Sequence, residues 1–208
     1  MVSDGAKIDW ASTASNSILS CPVSGCTAPQ VFAKEQATPR APSLRGKDLY
    51  WIAGDSVRRA PTDGSAPAVN VVANLNQPAA LSLNSSYVSF TTNYSFGEVG
   101  FCPLEGCASA PDLLAKEQAF PFSVASDESH VYWINASSMG SARGASLMRA
   151  DFAGATEELA PISVRNRSDD PIYEHSLVVD EAYVYWISPG ALSKTGYYPN
   201  AGIFRRGK

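Results

Sequence analysis

Short apolar runs alternate with clusters of Gly, Pro, Asn, Asp and Ser along the whole chain. Runs such as ALSLN (80–84), SVASD (123–127) and VYWIN (131–135) are rich in Val, Ile, Leu, Tyr and Trp. They have the length and content of β-strands, and the clusters between them have turn chemistry. Several runs are apolar at consecutive positions, as in VYWI, which predicts strands buried on both faces. The two AKEQ segments (33–36 and 115–118) contain good helix formers and allow a helical turn. Their counterparts VVANLNQP (71–78) and ELAPISVRN (158–166) have no helical period, so no repeated long helix is expected.

The runs recur. Trp10, Trp51, Trp133 and Trp186 end the strings KIDW, DLYW, HVYW and YVYW, and YVSF carries Phe90 in the same place. These anchors are 41, 39, 43 and 53 residues apart. Six positions before each stands Asp4, Arg45, Asn84, Asp127 or Asp180. A second anchor follows in ILSCPVSGC (18–26), VRRAPTDGS (57–65), VGFCPLEGC (99–107) and LMRADFAGA (147–155), which align without a gap, and IFRRGK (203–208) begins another. A third anchor is Pro39, Pro78, Pro121 and, less regularly, Pro171.

Each period thus reads as four short strands in about 40 residues. That predicts an all-β fold, a β-propeller of four-stranded blades, with a β-solenoid as the alternative; solenoid coils are usually shorter. The whole of 1–208 reads as a single propeller domain. The copy Tyr50-Trp51-Ile52-Ala53, Val57-Arg58-Arg59 and Asp63-Gly64-Ser65 resembles the YWTD repeat of low-density-lipoprotein-receptor-type propellers. The CPLxGC turns and VYW strands are also similar to uncharacterised exported bacterial propellers. The resemblance implies six blades, whereas the chain supplies four full periods and a partial fifth. Met1 aligns with Val124, inside a first strand, and the chain stops within a third strand. The expectation is a propeller incomplete at both ends, with a ragged five-bladed ring or completion by a second chain as alternatives.

Composition narrows the function. A net charge of −4 over 208 residues gives no basic face for nucleic acid. No apolar run is long enough to span a membrane as a helix. The first ten residues, MVSDGAKIDW, lack the pattern of a signal peptide. His130 and His175 are the only histidines, and no nucleophile motif, phosphate loop or zinc-binding helix occurs. No catalytic residue, metal or cofactor is therefore assigned. Sequons stand at Asn84, Asn93, Asn135 and Asn166.

Cys21 and Cys26 flank PVSG, and Cys102 and Cys107 flank PLEG. The equivalent positions are Ala60 and Ser65 in one copy and Ala150 and Ala155 in another, so both are Cys or neither is. A tight turn brings hairpin ends within disulfide reach. Free thiols and a four-thiolate metal site are the alternatives, the latter opposed by the distance between two blades. Disulfides would place the protein in the periplasm or outside the cell.

Length varies most after the aromatic strand and, in the fourth repeat, between blades. In a four-stranded meander both connections emerge on one face, and variable loops on one face commonly bind. That face is expected to carry Tyr94, Phe96, Arg143, Asp169, Asp170, Glu174, His175, Tyr197 and Tyr198. His130 falls on the opposite face. The reading is a non-catalytic binding module for a protein, peptide or glycan. A metal-dependent hydrolase or lyase, or a scaffold segment of a larger protein, is the alternative.

Overall fold

The computed structural model describes residues 1–107, 110–136, 145–162, 177–188 and 202–208. Among the described residues there are nineteen strands and no helix. The first sheet contains β1 (Val2–Ser3), β2 (Lys7–Ser12), β3 (Ser17–Pro22) and β4 (Gln30–Ala33). The second contains β5 (Arg40–Arg45), β6 (Asp48–Ala53), β7 (Ser56–Pro61) and β8 (Val69–Val72). The third contains β9 (Pro78–Leu83), β10 (Tyr87–Thr92), β11 (Gly97–Pro103) and β12 (Asp112–Gln118). The fourth contains β13 (Pro121–Ser126), β14 (His130–Asn135), β15 (Ala145–Asp151) and β16 (Thr156–Ile162). The fifth contains β17 (Leu177–Val179), β18 (Tyr183–Ser188) and β19 (Gly202–Gly207).

In every sheet, consecutive strands are antiparallel hydrogen-bonded neighbours. Each sheet is therefore one blade of a β-propeller, and the blade boundaries follow the prolines of the repeat. The first strands of successive blades, β1, β5, β9, β13 and β17, pack side by side and line the axis. The five blades form an open arc.

The core lies between blades and repeats one arrangement. Residues directly opposite in an antiparallel pair share a face, as do positions two apart in a strand. In blade four, Tyr132 and Ile134 thus share one face with Leu147, while Val131 and Trp133 share the other with Ala150 and Met148. The first face packs on Leu177, Val184 and Trp186 of blade five. The second packs on Val99, Phe101 and Leu114 of blade three. Blade two against blade three repeats this with Tyr50, Ile52 and Val57 on Val88 and Phe90. Blade one against blade two buries Ile18 with Leu49 and Trp51. A large side chain buried this way contributes about 1.5–3 kcal/mol.

The AKEQ segments form no helical turn. Lys34–Gln36 leave β4 as an irregular loop that bends at Glu35, and β12 runs through Gln118. Glu35 and Glu117 take left-handed φ values of 58° and 55°, which a right-handed helix cannot contain.

Both cysteine pairs lie at disulfide geometry, with Cα separations of 5.8 Å for Cys21–Cys26 and 5.2 Å for Cys102–Cys107. Each encloses a turn closed by Gly25 N donating to Pro22 O or Gly106 N donating to Pro103 O, both at 2.9 Å. Gly106 has a φ of 117° and packs on the Val71 backbone, so the second staple is also wedged against blade two.

Candidate functional site

Six connections between elements form one face of the arc. They are the loops within blades one to three that follow β2, β6 and β10, and the links between blades that follow β4, β8 and β12. Backbone hydrogen bonds sew them into a belt. Gln36 N donates to Asn16 O and Gly54 N to Ala37 O, so the first link ties the loops of blades one and two. Leu75 N donates to Asp55 O and Asn93 N to Gln77 O, tying blades two and three. Phe120 N donates to Tyr94 O and Ala136 N to Phe120 O, tying blades three and four.

The links between blades hold six non-glycine residues at left-handed φ in matching pairs: Glu35 and Thr38, Asn74 and Gln77, Glu117 and Phe120. Their recurrence at equivalent positions marks them as part of the blade linkage. Nothing in their residue types announced the conformation, because only Asn among them is enriched there.

Tyr94 and Phe96 sit in the loop after β10. Tyr94 is half-buried, and its carbonyl accepts from both Gly97 N and Phe120 N. A Cβ on Gly97 would come 2.3 Å from Thr92 O and 2.4 Å from Pro121, so the loop closes only with glycine there. Phe96 is 65% exposed at the tip of this tied loop. Left in water, it adds nothing to the core, and exposed aromatics on ordered loops are suited to contact. Arg143, Asp169, Asp170, Glu174, His175, Tyr197 and Tyr198 lie outside the described residues.

Beside the belt, a groove of about 540 Å³ opens between blades one and two. Phe32, Lys34, Gln36, Arg58 and Pro67 line it. Arg58 donates to Gln36 Oε1 at 2.9 Å and Ala68 O at 3.3 Å, while its buried Nε has no partner. Arg58 and Arg59 stand at adjacent positions of β7. Arg59 does pair across the strands with Asp48 at 3.7 Å, but Arg58 enters the groove because β4 and the loop after β7 belong to different blades.

The opposite face carries the turns before the aromatic strands. Asp4, Asn84, Asp127 and Asp180 each accept from the backbone N–H groups two and three residues on. In the second repeat Arg45 precedes Gly46, whose φ of 59° makes the turn instead. Burial opposes ionisation of Asp127, but the Lys208 ammonium at 2.6 Å and the N–H groups of Ser129 and His130 hold its carboxyl far below the usual range. Burial and the neighbouring Asp127 charge push the Tyr132 hydroxyl up to about 12. His130 bonds Ser129 Oγ through Nδ1 at 2.9 Å on this face, as placed from the sequence. Asn84 is 4% exposed and donates to Asp127 O, so that sequon is closed to a glycan.

Among the described residues, no three His, Cys, Asp or Glu side chains group as metal ligands, and no helix is long and apolar enough to cross a membrane.

No family model matches the chain, and no curated protein does. Solved structures do. A virginiamycin B lyase from Staphylococcus aureus matches with a TM-score of 0.64 and 14% identity, over all of this chain and 68% of that one. A streptogramin B lyase matches at 0.66 and 15%, over all of this chain and 67% of that one. A puromycin-hydrolyzing peptidase from Mycobacterium tuberculosis matches at 0.57 and 14%, over all of this chain and 42% of that one. These similarities establish the fold as propeller-like. They do not single out the YWTD type.

Proposed function

We propose that the chain is a binding module of an exported protein, holding a protein, peptide or glycan on the sewn loop belt with Phe96 as an anchor. The observation that carries this is an aromatic ring left 65% exposed on a loop that backbone hydrogen bonds and a sterically required glycine keep in place. A preformed platform avoids the ordering cost of binding. The two cysteine pairs support an extracellular or periplasmic setting. The YWTD-type reading rests on the quoted strings, Tyr50-Trp51 foremost.

The test is to screen the protein against peptide and glycan arrays, then repeat any hit with Phe96→Ala. A central aromatic contact is worth more than 1 kcal/mol, so binding should weaken about tenfold. Unchanged binding by Phe96→Ala, or no hit on either array, counts against the reading.

The solved lyases and peptidase favour a second reading, a propeller enzyme. Incubation with virginiamycin B and with puromycin, followed by mass spectrometry of each compound, decides it. Loss of intact compound supports an enzyme, and full recovery of both removes these two substrates.

A further inference from the structure

The groove between blades one and two owes its volume to small side chains at repeat positions that are filled elsewhere. Ala60 and Ser65 line it, at the positions that Cys102 and Cys107 hold in blade three. There the bridge and Leu104 pack into the seam with blade two. In the seam between blades three and four, Met148 and Phe152 join the packed cluster. The residue opposite the anchor aromatic is Leu19 in blade one, Gly100 in blade three, Met148 in blade four and Phe204 in blade five. Blade two alone puts a charge there, with Arg58 opposite Trp51. The blade fold does not require that charge.

Arg58 is also held without a counter-ion. Its Nη1 donates to Gln36 Oε1 at 2.9 Å and its Nη2 to Ala68 O at 3.3 Å, both neutral acceptors. The buried Nε has no partner. Among the described residues, no carboxylate pairs with Arg58 or with Lys34, the other cation of the lining. Gln36 is itself fixed: it is 4% exposed, its Nε2 donates to Lys34 O at 2.6 Å, and its Oε1 also accepts from Trp51. The guanidinium is therefore set in place before any ligand arrives. A half-buried cation without an anion carries a desolvation cost that an incoming anion offsets. Phe32 and Pro67 supply apolar walls, with Phe32 edge-on to Trp51 at 6.2 Å between ring centroids. We propose that this groove binds a small carboxylic acid, its carboxylate on the remaining N–H groups of Arg58 and on Lys34, its apolar body between Phe32 and Pro67. The volume of about 540 Å³ suits a drug-sized molecule, and a planar carboxylate matches the guanidinium fork. Glu35, exposed on the same lining, disfavours a dianion such as a phosphate monoester. Phe96 is no part of the groove, so the proposal stands or falls separately from the belt.

Heteronuclear NMR titration of the whole chain tests this with hexanoate, octanoate, phenylacetate and phenylpropionate, their primary amides, and phenyl phosphate. The Trp51 indole N–H and Arg58 Nε–H signals report on the groove, because Gln36 accepts from both side chains. At least one acid is expected to shift both signals saturably, with its amide about tenfold weaker. Arg58→Met installs the residue that blade four carries, so the sheet should persist while affinity falls about tenfold. Lys34→Gln should weaken binding about threefold, as suits an exposed charge. Ala60→Cys/Ser65→Cys transplants the bridge of the third repeat into the groove and should abolish binding. Mass spectrometry confirms that bridge, and circular dichroism confirms the sheet in every variant. No saturable shift with any of the acids overturns the proposal. So does an amide or phenyl phosphate that binds as tightly as the best acid. Wild-type affinity in folded Arg58→Met, or in the bridged variant, overturns it as well.

Discussion

At the residue scale, two of the four anchor tryptophans, Trp51 and Trp133, come with a partner. Gln36 Oε1 accepts from Trp51 Nε1 at 2.9 Å, and Gln118 Oε1 accepts from Trp133 Nε1 at 3.1 Å. Each glutamine stands fifteen residues before its tryptophan and belongs to the previous blade. Where the third repeat substitutes Phe90, the residue fifteen before it is Leu75, packed in the same apolar cluster. The pair changes together because a buried indole N–H needs an acceptor and a phenyl ring does not. Gln118→Leu should therefore cost about 1–3 kcal/mol by leaving that N–H unmet. Combining it with Trp133→Phe should recover part of that cost, giving a favourable coupling in a double-mutant cycle measured by urea unfolding. Strict additivity would show that the pairing is incidental.

The turn acceptors make a second residue-scale prediction with an internal control. Asn84 performs the turn that Asp127 performs, so Asp127→Asn keeps both backbone hydrogen bonds and loses the charge pair with Lys208. It should cost about 0.5–1 kcal/mol at neutral pH, allowing for screening of a partly exposed pair. Asp127→Ala loses the turn as well and should cost about 2 kcal/mol. The folded-state pKa lies below the unfolded value, so this stability is present above about pH 4 and lost as pH falls. Melting curves of wild type and Asp127→Asn should converge in acid. A gap that stays constant would show that Lys208 contributes nothing through charge.

At the element scale, the two disulfides close equivalent turns in different surroundings. Cys102 is fully buried in the cluster between blades two and three, and Cys107 N donates to Val71 O at 3.0 Å. Cys26 is exposed and Cys21 half-buried. Thiol exchange needs access to a sulfur, so mild reductant should open Cys21–Cys26 well before Cys102–Cys107. Alkylation under native conditions followed by peptide mass spectrometry would show it. Equal modification of both would mean that blades two and three separate readily. Loops this short stabilise by about 2 kcal/mol at most, so loss of the exposed bridge should leave the sheet folded. The same turns show what was legible. The strands and the pairing of the cysteines could be read because they depend on local period and spacing. The left-handed Glu35 and Glu117 could not, since φ there is imposed by hydrogen bonds from the neighbouring blade. Nor could the Arg58 groove, which exists only once two blades lie side by side. Nor could the exposure of Phe96 in the loop after β10, which depends on the contacts that the rest of that loop makes.

At the scale of the whole molecule, an arc of near-identical blades behaves as a one-dimensional array whose units are stabilised by their neighbours. Blades two, three and four are covered on both faces, whereas blades one and five are covered on one. The gradient is visible in single positions: Ile52 and Ile134 are sealed while Ile187 is open, and Trp51 and Trp133 are sealed while Trp10 is half-open. Local opening therefore costs least at the ends. In dilute solution, amide hydrogen exchange should be slowest in β6, β10 and β14 and faster in β2 and β18, even though all five strands have hydrogen-bonded partners on both sides. Uniform protection across all five aromatic strands would mean that the blades unfold as one cooperative unit, with junction energies large enough to carry the half-covered ends.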